Sequence, residues 1–486
     1  MRRRSAFAAL LSLAALAVVP EGAPRVAHAD APPRPHIVHI VADDLGWKDV
    51  GFHGAEFATP HIDSIAAAGV RLEGFYAQPF CTQTRACLMT GRYPFRYGLQ
   101  TAVILSAHGY GLATDELTTP QALAAAGYST ALVGKWHLGH GDRKYWPGAR
   151  GFQRSYGPLI GEIDYFSHEQ HGVLDWYRDG KPVREEGYST TLLGDEAVRT
   201  IEGHDPKSPL YLYLAFNAPH APYQAEKAVE DRFPAIADPT RRTYAAMVAA
   251  MDDQIGRVLA ALEKKGMRGD TLIVFHSDNG GTRDSQFSGE VDTSKIRIPC
   301  DNGPYRDGKG NYYEGGTRVV AAACWPGHIP AGKTVDGVMH AVDMLPTFAA
   351  VAGASLASSK PLDGLDMGAV MAGTAPSPRT EVVLGVEMQR AALRQGPWKL
   401  VWRATLPSKT ELFDLSKDPY EKEDLAASQT ERVLAMKARV DELARVSVPS
   451  LLVGTEMNEV RARLKRPPVI AGEDPFAIDD DEHGAK

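Results

Sequence analysis

The sequence predicts an α/β protein: an open, doubly wound, mostly parallel sheet, followed by a smaller C-terminal α+β domain of antiparallel sheet plus helix. Three observations predict it. From His36 to about Gly353, short continuous apolar runs alternate with longer segments of helical period, the pattern of strands buried on both faces between crossover helices. Several of these runs end directly on charged or amide residues, as strands do when they present ligands beyond their carboxyl ends. After a stretch rich in Ser, Ala, Gly and Pro at 354–378, the pattern changes to short strand-like runs and one charged helix.

The elements follow in order. Residues 1–29 read as a signal peptide, because Arg2, Arg3 and Arg4 precede an apolar run at 6–19 and Ala27-His28-Ala29 offers a small-x-small cleavage pattern. That run is short of the roughly 20 residues a bilayer-spanning helix needs, and no later segment is longer. An exported chain, periplasmic or secreted, is expected, with no integral membrane segment after cleavage. Strands are expected at 36–42, 129–133, 210–216, 271–276 and 319–325, and a further apolar run at 70–76 leads toward Cys81. Helices are expected at 60–68, 119–126, 190–201, 240–265 and 342–352, punctuated by Pro60, Pro120, Gly127 and Gly353. These elements make a catalytic domain at 30–353, and no fixed-period repeat suggests a solenoid or propeller instead. Beyond a linker at 354–378, a domain at 379–450 is expected to hold strands at 381–385, 391–393, 398–402 and 411–415 and a helix at 428–445. It reads as packing support without chemistry. Residues 451–486 form an extension whose last 14 residues carry six acids and one Lys, a solvated acidic tail.

Composition narrows the function. With 44 % hydrophobic and 23 % charged residues among 486, the chain is globular, not fibrous, disordered or multi-span. Its net charge is −7, and the signal segment holds four Arg and one Glu, so the mature chain carries −10, which argues against broad capture of nucleic acid phosphates. Cys81, Cys87, Cys300 and Cys324 are too few for a disulfide scaffold. In an oxidising compartment their three possible pairings stay open, as do free thiols.

The chemistry gathers after the apolar runs. Asp43 and Asp44 follow the first, Lys135 and His137 the second, His220 the third, Asp278 and Asn279 the fourth, and Cys81 follows 70–76. Adjacent carboxylates buried together repel unless a cation joins them. Asp43, Asp44, Asp278 and Asn279 supply an all-oxygen set suited to calcium or magnesium, not zinc. Cys81 is expected at the positive end of a short helix, with Arg85 one turn on to reach back toward it. Three carboxylates and a divalent ion leave one negative charge, which Lys135, Lys309 and Arg85 overturn. The site therefore suits a tetrahedral oxyanion.

These residues resemble the sulfatase family of the alkaline phosphatase superfamily, most strongly its arylsulfatase B (N-acetylgalactosamine-4-sulfatase) branch. The shared stretches are Ala42-Asp43-Asp44-Leu45-Gly46-Trp47, Thr59-Pro60-His61-Ile62-Asp63, Cys81 to Arg92, Gly134-Lys135-Trp136-His137-Leu138-Gly139, Ala218-Pro219-His220 and Ser277-Asp278-Asn279-Gly280-Gly281. Lys309, Glu314-Gly315-Gly316 and Glu411-Leu412-Phe413-Asp414-Leu415 extend the match across most of the mature chain. The resemblance implies an alkaline-phosphatase-like fold and one calcium ion held by Asp43, Asp44, Asp278 and Asn279, with Cys81 at the same site. It implies that a maturation enzyme oxidises Cys81 to formylglycine (3-oxoalanine). It also implies catalytic roles for Cys81, Arg85, Lys135, His137, His220 and Lys309 on a glycan or small-molecule sulfate ester. The chain departs from the family at Gln83 and Thr84, where Pro and often Ser stand.

The expected activity is that of an exported sulfatase acting on sulfated sugars or aryl sulfates. Two alternatives stay open: a phosphodiester or phosphonate monoester hydrolase of the same superfamily, and a non-catalytic calcium- or glycan-binding protein with an intact Cys81 thiol. The loops at 106–115, 158–177 and 287–313 are expected to shape the pocket. Tyr165, Phe166, Trp176 and Tyr177 either stack on substrate or pack those loops.

Overall fold

All seven residues of the strand His36–Ala42 are buried. Their alternation is between two apolar environments: Ile37 and Val41 enter the core on one face of the sheet, Val38 and Ile40 the core on the other. The strand lies inside a ten-stranded sheet in a computed structural model that describes residues 34–283 and 298–463. The order is Lys333–Val335, Val70–Leu72, Ala321–Cys324, Thr271–Ser277, His36–Ala42, Leu210–Ala215, Ser129–Gly134, Arg154–Gly157, Tyr177–Arg178 and Lys181–Pro182. The five strands from Thr271–Ser277 to Arg154–Gly157 run parallel. Both margins contain antiparallel pairings.

Helices Pro60–Ala67, Ser189–Glu202 and Pro239–Lys264 cover one face, and Cys81–Thr90, Thr119–Ala125 and Met344–Ala352 cover the other. This is the doubly wound arrangement the sequence predicts. Pro239–Lys264 starts on Asp238, whose carboxylate accepts from Arg241 N, with Pro239 at the first helical position. One expectation is corrected. The strand expected at 319–325 spans only Ala321–Cys324 and runs antiparallel to Thr271–Ser277. A run buried on both faces looks alike in either direction, so its apolar pattern does not encode its sense.

A four-stranded antiparallel meander, Glu381–Val386, Arg390–Gln395, Trp398–Arg403 and Lys409–Asp414, follows. Helix Thr430–Arg445 inserts Met436, Val440 and Leu443 into the core on the Cys81–Thr90 side. The 354–378 stretch holds a short helix, Gly368–Met371, with Met367, Val370 and Met371 buried. Lys399 Nζ, fully buried, lies 2.9 Å from both Glu314 and Glu421 carboxylates. It thereby fastens the meander to the segment that follows Lys309. The described residues belong to one compact unit, and no helix among them is long and apolar enough to cross a membrane. The signal segment, the acidic tail and residues 284–297 lie outside the described residues.

Candidate active site

The carboxyl ends of four neighbouring parallel strands and the loops that continue them bring the predicted residues together. Ala42 pairs with Ser277, Val41 with Ala215, and Ala215 with Gly134. The main-chain ladder then continues one step beyond the strands: Asp278 N donates to Ala42 O, Asp43 N to Ala218 O and Lys135 N to Ala215 O. Asp278, Asp43 and Lys135 are therefore side by side because strand register puts them there. Glycines let the next loop close over them. A Cβ on Gly280 would stand 1.8 Å from Gly315 O, so the Asp278-Asn279 turn meets the Glu314-Gly315-Gly316 turn backbone to backbone.

All three carboxylates are buried, and each has a cation. Lys135 Nζ sits 2.5 Å from Asp43 Oδ2. Arg85 donates through Nε and Nη2 to Asp278 Oδ2 at 3.1 and 2.8 Å, and through Nη1 to Lys135 O at 3.0 Å. Lys309 Nζ lies 2.8 Å from Asp44 Oδ2 and 2.9 Å from His220 Nε2. Burial raises the Asp43 carboxyl, and the neighbouring Asp278 adds to the shift, with Lys135 and Arg85 opposing it. Burial also works against the Asp44 carboxylate, yet Lys309 and His220 hold it below the ordinary range. Three acids against three bases leave the cluster neutral, so a divalent cation would make it doubly positive.

The oxygen atoms fit such a cation. Asn279 Nδ2 donates to Asp44 Oδ1 at 2.7 Å and to Gly280 O at 3.0 Å, which leaves Asn279 Oδ1 buried with no partner, as is Asp43 Oδ1. Ligand atoms of Asp43, Cys81 and Asp278 lie within 4.8 Å of one another, as do those of Asp43, Asp44 and His220. Orphaned hard oxygens among carboxylates are what a calcium-type ion binds. Asp44 holds φ 62, a left-handed backbone that costs about 1–3 kcal/mol. Asp44 N donating to Asp278 Oδ1 and Leu45 N to Ser277 Oγ keep it there.

Cys81 opens the ten-residue helix Cys81–Thr90, with Phe80 as its N-cap. Burial pushes its thiol above the ordinary value despite Lys135 and Lys309 nearby, so an unmodified thiol here stays protonated and weakly nucleophilic. All four cysteines are buried free thiols, so none of the possible disulfides is formed. Gln83, at the position of the family proline, reaches Gln100 O through its amide nitrogen.

Two histidines complete the wall. His137, at φ 58, donates Nε2–H to Ile104 O at 3.0 Å. Burial and the Lys135 charge push its pKa well down. Neutral with Nε2 protonated, it keeps a buried Nδ1 lone pair with no hydrogen-bond partner. His220 donates Nδ1–H to Ala221 O at 2.5 Å, so its Nε2 accepts from Lys309. Burial and Lys309 lower its pKa to about 3.

The structure thus brings every predicted site residue into one cluster. It decides against two of the four aromatics as stacking platforms: Tyr165 and Trp176 are buried and pack the loop, while Phe166 is exposed and Tyr177 half-buried. It adds residues the sequence reading missed. Thr282 Oγ1 donates to Asp44 Oδ2 at 3.1 Å, and its place just after the Asp278-Asn279-Gly280-Gly281 turn was a usable signal. Thr82 Oγ1 donates to His137 O and accepts from Ile104 N. Arg390 of the meander donates to Gly310 O. No local pattern marks Arg390.

Comparison with known proteins agrees with this geometry. The Sulfatase family profile matches residues 35–354. Arylsulfatase J of Mus musculus is 30 % identical over 471 residues, 86 % of this chain and 77 % of that one. Arylsulfatase A of Homo sapiens is 34 % identical over 374 residues, covering 71 % and 69 %. Among solved structures, Ps i-CgsB in complex with k-i-k-neocarrahexaose superposes with a TM-score of 0.77 at 34 % identity, over 86 % of this chain and 94 % of that one.

Proposed function

From the premise that this chain belongs to the sulfatase family, and is a sulfuric ester hydrolase with an alkaline-phosphatase-like fold, we propose that it is an exported enzyme that desulfates sulfated sugars with a formylglycine made from Cys81 beside a calcium ion. The observation that carries this reading is the meeting of Cys81 with Asp43 and Asp278 at ligand distance, inside a cluster that also holds two lysines and an arginine.

Asp43, Asp44, Asp278 and Asn279 would hold the calcium, which supplies a Lewis acid for sulfate oxygens. A formylglycine hydrate supplies two hydroxyls, one to attack sulfur and one whose proton loss re-forms the carbonyl and expels sulfate, an exit a serine ester lacks. The remaining work falls to this chain's own side chains. Lys309 holds a buried ammonium between Asp44 and His220, where it would neutralise a sulfate oxygen. Arg85, anchored on Asp278 and Lys135 O, holds the first turn of the nucleophile helix against the metal cluster. His137 offers Nδ1 as the acceptor for a hydroxyl proton. His220, paired to Lys309, faces the leaving oxygen and hydrogen-bonds it. Phe166, exposed on the 158–177 loop, is a face for a sugar ring. The oligosaccharide bound by Ps i-CgsB makes sulfated neocarra-oligosaccharides a first choice of substrate. A formylglycine-generating enzyme is the required partner, acting on a sequence with Gln83 in place of Pro.

The test compares initial rates on 4-nitrophenyl sulfate, a sulfated oligosaccharide panel and an aryl phosphodiester, alongside mass spectrometry of the Cys81 peptide. Sulfate ester turnover with converted Cys81 is expected. Preference for the phosphodiester, or a fully intact thiol in an active preparation, would falsify the reading.

A further inference from the structure

We propose that Arg390, from the second strand of the C-terminal meander, is a positioning residue for the sulfate-binding end of the site. The proposal rests on reading Lys309 as a ligand of the sulfate group. Lys309 stands between Gly308 and Gly310, two residues with little intrinsic backbone preference, and Gly310 holds φ +85. Its ammonium must nevertheless reach both Asp44 and His220. Main-chain bonds from Lys309 N to Gly281 O and from Gly310 N to Pro79 O fix part of the turn. Arg390 fixes more of it. Its Nη1 donates to Gly310 O at 2.6 Å, one residue past Lys309.

The guanidinium is itself held. Its Nε donates to Glu387 Oε1 at 3.0 Å, and that oxygen also accepts from Tyr312 OH at 2.5 Å. Its Cζ lies 5.0 Å from the Tyr312 ring centroid and 5.4 Å from that of Phe80, within cation–π range of both. Phe80 is the residue before Cys81. One cation from the C-terminal domain therefore touches the chain on each side of the sulfate position: the entry to the nucleophile helix and the turn that carries Lys309. A domain whose sequence reads as packing support thus reaches into the placement of two reacting groups. Arg is suited to this, because its planar fork bonds a carbonyl and a carboxylate at once while its face stays free for aromatic rings.

The experiment measures, on the full-length matured protein, the Kd for inorganic sulfate by calorimetry, kcat and KM on 4-nitrophenyl sulfate, Tm, and the fraction of converted Cys81. Arg390→Ala is expected to weaken sulfate binding and lower kcat/KM by about ten-fold or more, with Cys81 conversion unchanged. Arg390→Lys keeps a charge but not the fork, and is expected to recover only part of the loss. Sulfate Kd and kcat/KM within about two-fold of the parent in Arg390→Ala would overturn the proposal, and so would a fall in Tm alone. If Arg390→Ala does not fold, Arg390→Lys decides by the same criterion. A parent with no sulfate ester turnover sinks the functional reading instead, and the ratio of sulfate Kd values still judges Arg390. A parent that also fails to bind sulfate sinks both.

Discussion

Asn279 donates its amide nitrogen to Asp44 Oδ1 at 2.7 Å, and this bond decides which way the amide faces. Its oxygen is left buried and unpartnered, as is Asp43 Oδ1. Two buried oxygens with no donor impose a desolvation cost that a hard cation removes.

Calcium is therefore expected to raise the Tm of chelator-treated protein by a few degrees. A ligand at about 100 times its Kd adds about 2.7 kcal/mol to the folded state. Asn279→Leu removes the amide oxygen and frees Asp44 Oδ1, so the calcium-dependent rise should shrink or vanish. Scanning calorimetry with and without calcium checks both, and a parent whose Tm ignores calcium would remove the cage from the mechanism.

Cys81→Ala is expected to lower kcat on sulfate esters by at least about 10³-fold, because the covalent route disappears while binding groups remain. The Sγ atom is small and Ala suits the first turn of a helix, so Tm should move by only a degree or two. Cys81→Ser should be nearly as inactive: it has a hydroxyl to attack with but no second one to expel sulfate. Multiple turnovers by the Ser variant would contradict the need for a hydrate.

Lys135 and Lys309 look equivalent as buried ammonium groups against carboxylates, but removing them should have different consequences. Among the described residues, Asp43 has Lys135 at 2.5 Å and otherwise only the Arg85 cation, at 3.7 Å. Asp44 keeps Asn279, Thr282 and His220 when Lys309 is gone. Lys135→Ala is thus expected to cost stability, about 3–5 kcal/mol for a stranded buried charge, together with activity. Lys309→Ala should mainly lower kcat/KM, by about 10²–10³-fold, with a smaller change in Tm. Denaturant midpoints measured beside kinetics separate the two, and equal stability losses would contradict the assignment.

The site was largely legible because its residues sit where parallel strands end. An apolar run closed by Asp43-Asp44 or Asp278-Asn279 announces both the strand and the ligand edge, and register then brings the ends together without further information. The central sheet was legible for the same reason, and the meander from its short apolar runs, which are buried at consecutive positions. What escaped notice depends on tertiary contact. The antiparallel sense of Ala321–Cys324 is set by neighbours, not by its composition. Arg390 lies in an ordinary strand at a position where Arg is common on surfaces, and only the docking of the meander brings it to Gly310. Tyr165 and Trp176 look like sugar platforms in sequence, yet the loop turns both inward, where Tyr165 OH donates to Asn217 O and Trp176 Nε1 to Tyr156 OH.

Asp175 gives a pH signature independent of the carboxylate cluster. It is buried and accepts from Leu159 N at 3.0 Å and Ile160 N at 2.8 Å, the loop whose Leu159 O receives His137 N. Burial raises its pKa to about 6, against the two backbone donors. Between the unfolded value near 4 and that folded value, the native chain keeps a proton the unfolded chain has lost. Stability must therefore fall as pH rises through this window, by at most about 3 kcal/mol at neutral pH. Asp175→Asn keeps an acceptor for both backbone donors and cannot ionise. Its Tm relative to the parent should rise steadily from pH 4 to pH 7, whereas Asp175→Ala leaves two buried N–H groups unpaired and should be less stable throughout, with kcat reduced through a displaced His137. Thermal melts of the three proteins across that range provide the check. Parallel curves for parent and Asn variant would show that Asp175 titrates normally in the fold and that the loop beside His137 is held by something other than a buried, protonated carboxyl.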